Sequence, residues 1–256
     1  MPDNWIPVDL LPPLKKDEVQ LWRIELNPSA ALVDSYAQFL SADEQIIAKR
    51  RRAGETRDHF TLGRACLRIL LGNALGIKPE NANIANGPHG KPEIASVGGS
   101  KISFNVAHSK NTVLIALGLQ GAMGVDIEYF DRSTDIIEVA QANFTAAENH
   151  SLAVISDTDE RLRTFYRYWT RKEAIGKADG RGLLLPMATF DVSFGSMDSH
   201  PVAINDPASQ QSKLYFVSDL NCGEHAAGAL ALESSECCIQ RLNFPLLSFF
   251  QGDPLS

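Results

Sequence analysis

Cysteine is scarce in this chain: there are four in 256 residues, Cys66, Cys222, Cys237 and Cys238, with no CxxC pair and no metal-ligand spacing. That scarcity excludes a zinc ribbon or a disulfide framework and predicts reduced thiols. The six histidines form no HExxH, so a zinc site finds no support. Long apolar runs are lacking too. Stretches such as VLIALGL at 113 to 119 are too short to cross a bilayer, and the start, MPDNWIPVDLLPPLKKDE, lacks the basic-then-apolar order of a signal peptide. The expected location is the cytoplasm, with no membrane partner. Positive charge is in deficit: 24 Lys and Arg against 31 Asp and Glu leave a net charge of −7, which argues against a nucleic-acid binder.

What the chain does have is core-forming sequence, 44% hydrophobic, enough for one large domain or two ordinary ones. VQLWRIEL at 19 to 26 alternates as a strand should. Ser41-Ala42-Asp43-Glu44 has the form of a capping box and opens a helical region reaching about Leu71, with Gly72 and Gly76 as terminators. NANIANGPHGKPEIASVGGSK is turn-rich with one or two short strands, and ISFNVAHS and TVLIALGL then read as strands. MGVDIEYF predicts another strand, and Thr145-Ala146-Ala147-Glu148 caps helical sequence to about Asp179. ATFDVSFG, KLYFVSDL and Ala226 to Glu233 are later strand candidates. The halves repeat one order, strand, capped helices, turn, strands, which predicts two related α+β halves joined near Leu119 to Gly124.

Four stretches are candidates for chemistry. KRRR at 49 to 52, followed by Arg57, Arg64 and Arg68, is either a local anion site or a solvated basic helix face. In Gly124-Val125-Asp126-Ile127-Glu128, strand alternation puts Val125 and Ile127 on one face and Asp126 and Glu128 together on the other. Two carboxylates so placed need a cation between them or water around them, and hard oxygen ligands suit Mg²⁺. Phe104 to Ser109 brings His108 to a strand end, where it meets an anion or caps a turn, and Gly90-Lys91-Pro92 is a weak anion-binding turn. In FYRYWTRKEAIGKADGRGLLLP at 165 to 186, an apolar stripe of Leu162, Phe165, Tyr166 and Trp169 runs into Glu173 and Lys177. Arg167 and Arg171 take the opposite face, where solvated charge is expected. Taken alone, Glu173 and Lys177 are an i,i+4 ion pair worth about 0.2–0.5 kcal/mol.

In order, GKPEI, FNVAHS, GVDIE and WTRKEAIGKADGRGL resemble the 4′-phosphopantetheinyl transferases of the surfactin-synthetase-associated type, over about half of the chain. Two motifs carry the resemblance: G-[IV]-D-[IV]-E, and W-[ST]-x-K-E-x-x-x-K followed by G-x-G-L. The resemblance implies an α+β fold, a pseudo-dimer of halves 1–119 and 120–256 with coenzyme A and Mg²⁺ in the cleft between them. It implies a monomeric enzyme that moves phosphopantetheine from coenzyme A onto a serine of an apo acyl or peptidyl carrier protein, releasing adenosine 3′,5′-bisphosphate. Asp126, Glu128 and Glu173 become Mg²⁺ ligands, with Asp126, Glu173 and Lys177 catalytic. Arg52, Arg57, Arg64, Lys91, His108 and Lys177 become coenzyme A contacts. Two departures stand out: Glu44 occupies a position where some relatives have lysine, and Ala107 one where many have serine. The alternative is a module that binds coenzyme A or a nucleotide through Mg²⁺ without transferring anything. Carrier proteins are generally acidic helical bundles, so a basic or apolar docking surface is expected.

Overall fold

The structure is a computed structural model that describes residues 5–87, 92–94, 102–119, 121–195, 199–206 and 211–249. Its first part runs β1 (Ile6–Pro7), β2 (Glu18–Glu25), α1 (Ala30–Ala37), α2 (Ala42–Arg50) and α3 (Glu55–Leu75), then β3 (Ile84–Asn86), β4 (Pro92–Ile94), β5 (Ser103–Ser109) and β6 (Thr112–Gly118). Its second part runs β7 (Met123–Tyr129), α4 (Ile136–Asn143), α5 (Ala146–Ala153) and α6 (Thr158–Asp179), then β8 (His200–Asp206), β9 (Gln211–Leu220), β10 (Ala226–Leu232) and β11 (Cys238–Asn243). The fold is α+β. One sheet has the order β1-β11-β2-β6-β5 and the other β7-β10-β9-β8, with β3-β4 as a small hairpin. The last described strand, β11, therefore joins the first sheet, between β1 and β2.

Alternation along the strands sets the layers. Trp22 and Ile24 of β2 join α3 residues such as Leu62 and Leu70 in one core, and Ala229 and Ala231 of β10 join α6 residues Phe165 and Ile175 in a second. The opposite faces of the two sheets share a third core, which contains Val19 and Leu21 from β2 and Val125 and Ile127 from β7. No helix among the described residues is long and apolar enough to cross a membrane. All four cysteines are free.

Both capping boxes form, since each obeys a local rule: Ser41 and Glu44 bond reciprocally, as do Thr145 and Glu148. Each capping glutamate also accepts from a cation 24 residues on. Glu44 pairs with Arg68 of α3, whose guanidinium also donates to the carbonyls of Pro79, Glu80 and Ala82. Glu148 pairs with Lys172 of α6 at 2.9 Å, and Lys172 donates to the carbonyls of Met187 and Phe190 at 2.7 Å.

Several expectations change. The helical region from Ser41 is broken at 51–54, where Gly54 adopts φ 101°, and it ends at Gly76 in the left-handed region, while Gly72 stays inside α3. α1, α4, β8 and β11 are additions. ATFDVSFG forms no strand: the carbonyls of Phe190, Val192 and Phe194 accept from Lys172 and Arg171 rather than from a neighbouring strand. Arg171 is correspondingly not on a solvated face. It is fully buried and forks onto both oxygens of Asp219 at 2.7 Å, because α6 is enclosed on that side by the chain after it.

Candidate active site

The site begins with a close approach. Gly124 of β7 lies so near α6 that a Cβ there would come within 2.5 Å of the Ala178 nitrogen and 2.9 Å of the Lys177 Cβ, and nearer still to the Ala174 carbonyl oxygen. A strand and helix in such contact point Asp126 and Glu128 at the turn of α6 that carries Glu173 and Lys177. Lys177 Nζ donates to Asp126 Oδ1 at 2.7 Å and to the Val125 carbonyl at 3.1 Å. The cation that the GVDIE carboxylates need is thus supplied, in part, by Lys177. The helix pair expected between Glu173 and Lys177 gives way to this cross-element bond.

Asp126 is 4% exposed, and its second oxygen, Oδ2, is buried with no hydrogen-bond partner among the described residues. Burial pushes its carboxyl above the ordinary range even with Lys177 opposing the shift. Glu128 is raised by burial and by Asp126, while Ser109 Oγ donates to its Oε2 at 3.1 Å. Glu173 is pushed up to about 7 by burial and then by Asp126, with Glu128 adding to the shift and Lys177 opposing it. Asp126 thus opposes ionisation of both glutamates, and Glu128 opposes that of Glu173. Among the described residues no three His, Cys, Asp or Glu groups already converge as a metal centre. The orphaned, buried Asp126 oxygen beside two further carboxyls nonetheless fits a hard cation.

β5 brings the opposite wall. Its Asn105 Oδ1 accepts from the Val125 N–H at 2.9 Å, and Ser109 Oγ accepts from the Tyr129 N–H at 3.1 Å. FNVAHS therefore stitches β5 to β7 through side chains and leaves His108 facing outward. The desolvating cleft wall, then Lys177, His59 and Arg51, hold the His108 imidazole below its usual range, so it is neutral more readily. A cleft of about 590 Å³ opens from His108 along α3, lined also by Arg51, His59, Arg64 and Lys110. Arg64 lies 3.5 Å from Glu44, and burial lowers its pKa.

Of the expected anion contacts, His108 and Arg64 share this cleft. Arg57 points elsewhere: it lines a separate cavity between α1, α2 and α3 and bonds Asp58 at 3.0 Å. Arg52 is exposed and does not line the cleft. Lys91 lies outside the described residues. Arg51, His59 and Lys110 were not foreseen. Arg51 follows the last helical residue in extended conformation, so helix phase gives no signal for which arginine of KRRR turns inward.

Residues 122–230 match the model of the 4′-phosphopantetheinyl transferase superfamily. The chain is 33% identical over 220 residues to 4′-phosphopantetheinyl transferase HetI of Nostoc sp., covering 86% of this chain and 91% of that one. It is 27% identical over 159 residues to 4′-phosphopantetheinyl transferase Sfp of Bacillus subtilis, covering 62% of this chain and 68% of that protein. The matched region contains β7 and α6, the two elements that carry the carboxylates.

Proposed function

The chain belongs to the 4′-phosphopantetheinyl transferase superfamily, and from that premise we propose that it moves the phosphopantetheine arm of coenzyme A onto a serine of an apo acyl or peptidyl carrier protein, using Mg²⁺ held by Asp126, Glu128 and Glu173. The products are holo carrier protein and adenosine 3′,5′-bisphosphate. The observation that carries this reading is Asp126, with one oxygen on Lys177 and the other buried and unpartnered beside two more raised carboxyls.

The fold is read as a pseudo-dimer of halves 1–119 and 120–256, working as a cytoplasmic monomer, with β11 returned to the first sheet. The repeated strand–helix order and the twin glutamate–cation clasps support that reading. The reacting groups gather at the junction, where β5 meets β7.

When bound, Mg²⁺ neutralises pyrophosphate charge that would otherwise repel the attacking oxygen. His108, Arg64 and Arg51 line the cleft that takes coenzyme A and supply donors for its phosphates. Glu173, beside Asp126 and Glu128 on the turn of α6 that also carries Lys177, accepts the serine proton. Lys177 moves its ammonium from Asp126 towards the departing bisphosphate, stabilising the charge that develops there. No serine of this chain has to act as nucleophile.

Incubation with coenzyme A, Mg²⁺ and an apo carrier protein, followed by intact mass, tests the reading. A gain of one phosphopantetheine on the carrier supports it. Coenzyme A binding without any mass gain replaces it with a binding module.

A further inference from the structure

Arg51 and Arg64 face the cleft, Arg68 is locked in a buried ion pair and Lys49 borders the cavity between α1, α2 and α3 while remaining exposed, as do Arg50 and Arg52. α2 holds Glu44 and Ala48 inward, while its outer face exposes Ile46 and Ile47, at 47% and 44%, together with Lys49 and Arg50. Ile46 and Arg50 are four residues apart and lie on one face, with Ile47 beside them. Among the described residues neither Lys49 nor Arg50 forms a salt bridge. Two large aliphatic side chains with Lys49 and Arg50 beside them, and one exposed carboxylate, Asp43, have the composition of an interface centre with a charged, mainly cationic rim. The patch also ends at the cleft: Arg51, the next residue, lies 4.4 Å from the centre of the Phe60 ring, and both line the cleft wall.

We propose that the outer face of α2, centred on Ile46, Ile47, Lys49 and Arg50, is the docking surface for the carrier protein; this rests on the transferase reading above. A carrier is chosen over other occupants on charge and place. On a chain of net charge −7, this cationic face complements an acidic helical partner, whereas a second copy would set the same cations against one another. A partner seated there also stands beside the cleft wall formed by Arg51 and Phe60, in the cleft that His108 lines.

The test uses the intact enzyme with coenzyme A, Mg²⁺ and an acidic apo carrier protein, measuring KM for each substrate at several salt concentrations. Two variants are compared with the natural chain: Lys49→Glu with Arg50→Glu, and Ile46→Ser. Because reversed charge at a helix C-terminus also opposes the helix dipole, Lys49→Gln with Arg50→Gln is run beside them, with thermal midpoints. The expected result is a rise of about tenfold or more in KM for the carrier, with kcat and KM for coenzyme A within about twofold, since rim charges act mainly on encounter. Salt should raise KM for the carrier in the natural chain, have little effect in the glutamine variant and lower KM in the reversed variant. Unchanged KM for the carrier in all three variants, with transfer intact, overturns the docking assignment and leaves the transferase reading standing. Absence of any transfer by the natural chain overturns both. A concentration-dependent dimer that the reversed variant loses assigns the face to a second copy and likewise overturns the proposal.

Discussion

Replacing Gly124 by alanine should uncouple the carboxylates from α6. The added Cβ would sit 2.5 Å from the Ala178 nitrogen and closer to the Ala174 carbonyl oxygen, and both are backbone atoms that no rotamer change can move aside. Ordinary contact needs about 3.5 Å, so β7 and α6 must separate by about 1 Å. The Lys177–Asp126 bond, now 2.7 Å, would then pass beyond the usual hydrogen-bond range of about 3.2 Å. A misplacement of about 1 Å costs on the order of 10² in rate, and overpacking costs about 1–3 kcal/mol. At about 2–4 °C per kcal/mol for a domain of this size, the thermal midpoint should fall by about 2–12 °C. Differential scanning fluorimetry and the intact-mass transfer assay, run on the same purified protein with saturating coenzyme A, measure both. A variant with the natural midpoint and natural kcat would refute the argument that close backbone approach builds this site.

Asp126→Ala should abolish transfer and should remove the rise in thermal midpoint with Mg²⁺ that is expected of the natural chain; a Mg²⁺ shift retained in the variant moves the metal elsewhere. Glu173 has a folded pKa of about 7 against an unfolded value of 4.5, so its contribution to stability is full below about pH 4.5 and is lost as pH rises towards 7. Metal-free protein should therefore lose thermal stability over that interval more steeply than Glu173→Gln, which circular dichroism melts at several pH values can check. Lys177→Ala should lower kcat by about 10²–10⁴ with a smaller effect on KM for coenzyme A; steady-state kinetics with unchanged kcat would remove it from the mechanism. Lys172→Met should strand the Glu148 carboxylate, buried at 0% exposure, and cost about 3–5 kcal/mol, read in urea unfolding, while Lys172→Met combined with Glu148→Met should recover part of the loss.

Local rules were legible in the sequence and long-range ones were not. The capping boxes, the strands β2, β5, β6, β7, β9 and β10, and the side of β7 that holds Asp126 and Glu128 follow from patterns only a few residues long. ATFDVSFG alternates like a strand, yet its carbonyls are taken by two cations some 20 residues earlier in the chain. Arg171 looked solvated because a helix projection contains only its own helix, and Asp219 lies 48 residues away. Gly124 was visible as a motif glycine, but the helix that requires it to be glycine is 50 residues on. Arg51 escaped for a related reason, since its direction is set after α2 has ended.

The site carboxylates of β7 and α6 have no counterparts in the first of the proposed halves. Both glutamate–cation clasps tie a long helix to the segment following it, and the second lies 104 positions beyond the first. The same offset takes Met123 and Val125 back to Val19 and Leu21, which share their inter-sheet core, as expected if β2 and β7 hold equivalent places in the proposed halves. It takes Asp126, Glu128, Glu173 and Lys177 back to Trp22, Ile24, Ile69 and Asn73. Trp22, Ile24 and Ile69 are buried in the core between the first sheet and α3. Burying each such side chain stabilises by about 1.5–3 kcal/mol, whereas buried carboxylates oppose folding unless a cation compensates them. In the proposed halves, the first strand–helix contact is filled by packing, and the second carries the three carboxyls and Lys177. The Glu148–Lys172 clasp, fully buried on the far side of α6, fixes the rotation of that helix without help from an apolar interface at Glu173 and Lys177. With α6 held there, Lys177 reaches Asp126 at 2.7 Å, and Glu173 lies close enough to Asp126 and Glu128 for both to raise its carboxyl.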